Sequence, residues 1–186
     1  MSNRLPIIRI GGGEYFASDS EVMISTLLGS CVAVCLYDPF QKVAGMNHIM
    51  SSRKEYTASE QVCYQEDGKY GFCAMDLLIR EMMQKGAVFK NMRAKIFGGA
   101  SLFKPYNECT IEYCVGEENI RFVMNYLKIN SIPIVSKAVG GEYGKVIRFY
   151  SDNYTVKVRK IEKRSTPVLI QKDNEAWETL KQEGRV

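Results

Sequence analysis

Histidine is nearly missing from this chain: His48 is the single one in 186 residues. A structural zinc site would therefore have to be assembled mostly from cysteines. The six cysteines stand at 31, 35, 63, 73, 109 and 114, with no CxxC spacing anywhere. Neither a metal centre nor a disulfide framework is expected from that pattern, and most of the six read as small buried apolar residues. Long apolar runs are absent too: none approaches the ~20 residues that span a bilayer. The opening MSNRLPIIRIGGGEYF has no signal-peptide apolar region before its glycines. A cytoplasmic protein without membrane insertion is expected. Charge of one sign is scarce, because 25 basic and 21 acidic residues leave only +4, too mild to imply a nucleic-acid partner. Much of the excess lies in Lys157, Arg159, Lys160, Lys163 and Arg164, either a solvated strand end or a dock for an acidic protein surface. No GK[ST] follows the paired glycines Gly98-Gly99, so they do not form a phosphate loop, and no cofactor is expected.

What is present is the pattern of an ordinary folded domain, with 46% hydrophobic and 25% charged residues. Short apolar runs at 7–10, 22–28, 32–37 and 43–50 read as strands, and VAVCLYD alternates, with Val32, Val34 and Leu36 on one face and Ala33, Cys35 and Tyr37 on the other. Residues 51–68 are polar and lack any period, which predicts a long loop. The spacing of Ala74, Leu77, Leu78 and Met82 predicts a helix over 70–85, stopped at Gly86. Ile120, Val123, Met124 and Leu127 predict a second over 116–129. Strands follow at 94–97, 132–139, 146–150 and 155–161, the last two joined by a turn at Ser151-Asp152-Asn153. This is an α+β, or layered α/β, domain. Residues 165–186 form a polar tail with Trp177, and a short docking helix from Asn174 to Gln182 is one reading of it.

Between the strands at 32–37 and 43–50 lies Asp38-Pro39-Phe40-Gln41, a favoured type I turn start. If Asp38 opposes Gln41, Cys31 faces His48 across the hairpin and Cys35 faces Ala44. Directly opposed residues have Cβ atoms roughly 4.5–5.5 Å apart, within reach for a thiol and an imidazole. Cys31 also follows Gly29-Ser30, where a glycine permits a turn and nearby N–H groups can stabilise an oxyanion. An imidazole beside a thiol makes the thiolate accessible at neutral pH, and the thiolate can attack a carbonyl carbon to form a thioester. Cys35, mid-strand, is expected to be buried and inert.

The stretches LLGSCVAVCLYDP and VAGMNHIM resemble the motif pair of the CheD chemoreceptor glutamine deamidases. The likeness continues in GKYGFCAMDLLIREMMQKGA, AKIFGGASLF, VGEEN and VGGEYGKVIRF, in order, from about residue 8 to 160. The resemblance implies mixed sheets in a β-sandwich-like layering flanked by helices, similar to the catalytic domain of the cytotoxic necrotizing factors. A deamidase domain would then occupy residues 1–164, followed by the tail at 165–186. The implied activity is hydrolysis of selected glutamine side chains on methyl-accepting chemotaxis receptors to glutamate, with release of ammonia. Cys31 would be the nucleophile, His48 the base, and a threonine shortly before the cysteine the third member. By position that third member falls on Ser25, with Thr26 next to it, and Ser25 is slightly favoured. Gly29, Ser30, Gly98 and Gly99 would support the backbone around the substrate. The resemblance also implies a CheC-type phosphatase as a partner. It leaves two other functions open, receptor glutamate methylesterase and a regulatory partner of that phosphatase with minor catalysis. Where the family commonly has GGxxGR, this chain has Lys145, which lacks the planar fork of an arginine.

Overall fold

The segment Val32–Asp38 is buried at all seven positions. A strand shows only two faces, so unbroken burial requires a packed layer on each side. The computed structural model describes residues 5–52, 68–101, 115–161 and 171, and it supplies both layers. In chain order the elements are β1 (Ile7–Arg9), β2 (Tyr15–Ser18), β3 (Met23–Leu28), β4 (Val32–Asp38), β5 (Val43–Asn47), α1 (Gly71–Gln84), β6 (Arg93–Gly98), α2 (Val115–Ile129), β7 (Ile134–Val139), β8 (Lys145–Tyr150) and β9 (Val156–Lys160). They form a four-stranded sheet, β1-β3-β8-β9, and a five-stranded sheet, β2-β5-β4-β6-β7. Both sheets are mixed: β1 runs parallel to β3 and β6 parallel to β7, while the other pairs are antiparallel.

The alternation along β4 decides which layer each residue meets. Val32, Val34 and Leu36 pack with Ala74, Leu78 and Met82 of α1 and Val123 and Leu127 of α2. Ala33, Cys35 and Tyr37 pack with Ile24 and Leu28 of β3 and Ile147 and Phe149 of β8. The order is therefore sheet, sheet, helices, an α+β fold of mixed sheets flanked by helices. Among the described residues no helix is long and apolar enough to cross a membrane.

The predicted helices and strands are all present, with ends moved by one to three residues. One strand was not foreseen: β2, YFAS, is too short to show a period, and its pairing with β5 is what defines it. Most of the predicted loop at 51–68 and, apart from residue 171, the predicted tail at 165–186 lie outside the described residues. Of the basic run, Lys157, Arg159 and Lys160 are exposed on β9. Cys73, buried in α1, departs from the expectation for the cysteines, because it is disulfide-bonded.

The hairpin register is corrected by two residues. Asp38 pairs with Val43, not Gln41, so Tyr37 faces Ala44 and Cys35 faces Met46. The turn is longer than a minimal one because Asp38 Oδ1 accepts the N–H groups of Phe40 at 2.9 Å and Gln41 at 3.1 Å, and Lys42 takes a left-handed φ of 55°. That four-residue loop sets the offset. Val32 pairs with Ile49 in the same register. His48 is thereby placed opposite Ala33, with Cys31 diagonal to it. A shift of two leaves every side chain on its expected face. Diagonal neighbours stand ~7–8 Å apart at Cα, still within reach of longer side chains.

Candidate active site

Strand parity selects the hydroxyl. In β3, Ile24, Thr26 and Leu28 are buried toward the second sheet, while Ser25 and Leu27 are only partly buried. Thr26 Oγ1 lies 2.7 Å from His48 Nδ1. Ser25, the slightly favoured candidate, points to the other face, where its hydroxyl donates to the Ile147 carbonyl at 2.9 Å. Ser25 does not meet the imidazole because adjacent residues of a strand face opposite ways. The signal was present in the I-x-T-x-L spacing of Ile24, Thr26 and Leu28, but Met23 and Leu27 are apolar too and blurred it.

The same contact fixes the tautomer of His48. Thr26 Oγ1 donates its one proton to the Ile10 carbonyl at 2.7 Å. A hydroxyl has a single proton, so toward His48 it accepts. Nδ1 therefore carries the hydrogen and Nε2 the lone pair. Burial holds the imidazole pKa down from 6.5 to about 4, so the ring is neutral at pH 7. Its backbone is held as well: His48 N–H donates to Glu14 O at 3.0 Å, and His48 O accepts from Gly13 N–H at 2.9 Å. Next to it, Asn47 is fully buried and ties β5 to β4 and to α1, accepting from Val34 N–H at 3.0 Å and donating to Ala74 O at 3.1 Å.

Cys31 is 8% exposed and sits just before β4, on the face of that strand pair that carries His48. All three carbonyls of Gly29-Ser30-Cys31 meet donors from outside the hairpin. Gly29 O accepts from Ala100 N–H at 2.9 Å and Cys31 O from Gly99 N–H at 2.8 Å. Ser30 O is 3.5 Å from Asn119 Nδ2. The paired glycines Gly98-Gly99 thus act on the turn before Cys31 itself. Gly98 has φ 105°, and a Cβ there would collide with the Cys31 carbonyl oxygen. Gly99 has φ 66°, and a Cβ there would come within 2.5 Å of Ile120 Cδ1. Cys35 is fully buried in the layer between the sheets, and that burial pushes its thiol well above the usual range, with Lys95 opposing the shift.

The profile described as CheD chemotactic sensory transduction matches residues 53–160. A protein of Geobacter sulfurreducens named probable chemoreceptor glutamine deamidase CheD 1 is 44% identical, over 92% of this chain and 86% of its own. Relatives with the corresponding name from Shewanella oneidensis (CheD 2) and Bordetella parapertussis (CheD) are 38% and 34% identical, over 93% and 97% of this chain and 86% and 83% of theirs. The chain belongs to the CheD family.

Lys145, where the CheD pattern commonly has arginine, is buried and donates to Gly140 O at 2.6 Å. Burial, with a smaller contribution from Lys160, lowers its pKa. Gly140 N–H in turn donates to Gly98 O at 2.8 Å. Lys145 thus reaches, through one hydrogen bond, the turn whose N–H bonds Gly98. Two parts of this candidate site were not foreseen as site elements: the Ile10 carbonyl, which orients Thr26, and Asn119, which reaches the turn before Cys31. The one sequence signal for Asn119 is its place as the last residue of VGEEN. A cavity of about 880 Å³ beside α2 is lined by Ile120, Met124, Gly140, Gly141 and Tyr143 among others, and by neither Cys31 nor His48. Among the described residues no group of three or more His, Cys, Asp and Glu side chains could hold a metal ion.

Proposed function

We propose that this chain is a protein-glutamine deamidase acting on the cytoplasmic segments of chemotaxis receptors, with Cys31 as nucleophile, His48 as general base and acid, and Thr26 orienting the imidazole. The observation that carries the reading is the relay Ile10 O, Thr26 Oγ1, His48 Nδ1. It leaves the Nε2 lone pair of the sole histidine on the face that carries Cys31. The names of the CheD relatives support the substrate class.

In the proposed reaction His48 starts as the neutral imidazole. As Cys31 Sγ attacks the glutamine side-chain carbonyl carbon, its proton passes to His48 Nε2. The tetrahedral oxyanion collapses, the C–N bond breaks, and the imidazolium protonates the departing nitrogen, which leaves as ammonia. Neutral His48 then takes a proton from water, whose oxygen attacks the thioester. The second collapse frees glutamate and returns the proton to the thiol. Thr26 accepts from Nδ1–H throughout and supports the imidazolium as it forms, the role of the third group in a triad. The CheC-type phosphatase belongs to this proposal as a regulatory partner, and the cytoplasm as the compartment.

Incubation with a purified receptor cytoplasmic fragment should add about one dalton per glutamine converted, since an amide NH2 becomes OH, with ammonia released in equal amount. Cys31→Ala and His48→Gln should abolish both signals. Undiminished conversion by Cys31→Ala would sink the mechanism.

A further inference from the structure

Asn119 is fully buried, early in α2. Its side-chain nitrogen faces two backbone carbonyls: Met50 O at 3.0 Å and Ser30 O at 3.5 Å. Ser30 immediately precedes Cys31, and Met50 lies two residues beyond His48. These carbonyls sit on the two ends of the β4–β5 hairpin, beyond Val32 and Ile49, which still pair. A primary amide carries two N–H donors on one nitrogen, so it can hold both ends at once, which a hydroxyl with one proton cannot. The other half of the amide is wasted: Asn119 Oδ1 is buried with no hydrogen-bond partner among the described residues. A side chain present only for packing would be better made without that polar atom.

We propose that Asn119 is a positioning residue whose amide nitrogen clamps the turn before Cys31 to the strand end after His48, setting the separation of thiol and imidazole. The proposal rests on the reading of Cys31 and His48 as the reacting pair. Met50 provides the anchor. The contact to Ser30 is at the long end of hydrogen-bond range, as such contacts are in a site without substrate. The role differs from that of Thr26, which orients the ring of one partner, whereas Asn119 acts on the backbone of both.

The test uses the full chain and a receptor cytoplasmic fragment, with Asn119→Leu, which keeps volume and removes the donors, Asn119→Asp, which keeps shape and replaces NH2 by oxygen, and Asn119→Ser as a milder variant. Three quantities are read: kcat and KM for deamidation, the rate of iodoacetamide alkylation at Cys31 by peptide mapping, and the melting curve. Displacement of reacting groups by an ångström can cost on the order of a hundredfold. We expect kcat to fall by about 10- to 100-fold in Asn119→Leu and at least as much in Asn119→Asp, with KM within about threefold and alkylation of Cys31 slowed in parallel. If neither folds, Asn119→Ser is judged by the same signs at smaller amplitude. A folded variant with wild-type kcat and wild-type Cys31 alkylation, or one whose loss lies wholly in KM, overturns the proposal. Failure of the deamidase reading shows differently, as wild-type protein or Cys31→Ala giving the wrong conversion. Alkylation of Cys31 then still decides whether Asn119 governs the thiol.

Discussion

Replacing Thr26 by valine tests the tautomer argument most directly. The substitution keeps the shape of the side chain and removes one oxygen, which bonds the Ile10 carbonyl and His48 Nδ1 at 2.7 Å each. Both partners are left in a buried layer, Thr26 itself being 5% exposed. An unsatisfied buried polar group costs about 1–3 kcal/mol, so the pair, offset by the added methyl, should cost about 2–4 kcal/mol. A chain of this size has roughly 5–15 kcal/mol to lose and should still fold, melting about 5–15 °C lower. The kinetic effect should be larger than the stability effect suggests. Without an acceptor at Nδ1, the ring is free to carry its proton on Nε2, where it cannot serve as base. Loss of the orienting group in comparable triads costs on the order of 10²- to 10⁴-fold in kcat. Thr26→Ser keeps the hydroxyl and loses a buried methyl worth about 1 kcal/mol, so kcat should stay within about tenfold of wild type. Ser25→Ala removes only the bond to Ile147 O on the outer face and should leave kcat unchanged. The assay is ammonia release from a receptor fragment alongside thermal melting of each variant. If Thr26→Val melts lower but keeps kcat/KM within about threefold, the hydroxyl is structural and the tautomer argument is wrong. If Ser25→Ala is the dead variant, the assignment of the third residue is reversed.

Other outcomes follow from the same geometry. His48 is the only histidine, and its pKa is about 4 folded against 6.5 unfolded. As pH falls from 6.5 toward 4 the unfolded chain takes up a proton that the folded chain refuses. Stability attributable to this group should therefore be full above 6.5 and decline by up to about 3 kcal/mol across that window. Urea unfolding at several pH values, with the His48→Gln curve subtracted, isolates the effect, and a stability rising toward acid would contradict it. Iodoacetamide should label Cys31 in the native protein and leave Cys35 untouched until unfolding, because burial keeps the Cys35 thiol protonated. Equal labelling would refute the distinction. Gly98→Ala places a Cβ at φ 105° against the Cys31 carbonyl. It should cost upwards of about 2 kcal/mol and most of the activity. A melting point and kcat matching wild type would show that the turn yields freely.

Much of this architecture was legible residue by residue. The alternation of VAVCLYD named the two faces of β4, and both faces are covered as it requires. The periods of α1 and α2 gave their extents to within a residue or so. Cys31 and His48 could be put on one face of one hairpin, and Cys35 set aside, from a turn and a period of two. The register itself was not legible. It depends on an Asp38 side chain capping two backbone N–H groups and on a left-handed Lys42, which together lengthen the loop.

By itself, then, the sequence determined periodicity: which segments are strands or helices, and which side chains within a segment share a face. These are local properties, set by backbone geometry repeating every 2 or 3.6 residues. Tertiary structure alone decided how separate segments meet. Thr26 rather than Ser25 reaches His48 because β3 belongs to the other sheet and presents its even-numbered face inward. Ile10, from the end of β1, takes the hydroxyl proton and so settles which nitrogen of His48 is basic. Asn119, 89 residues beyond Ser30, reaches the turn before Cys31 because α2 packs on the layer behind it. No local period encodes such contacts. They arise where layers pack, and burial there leaves each polar atom few partners to choose from.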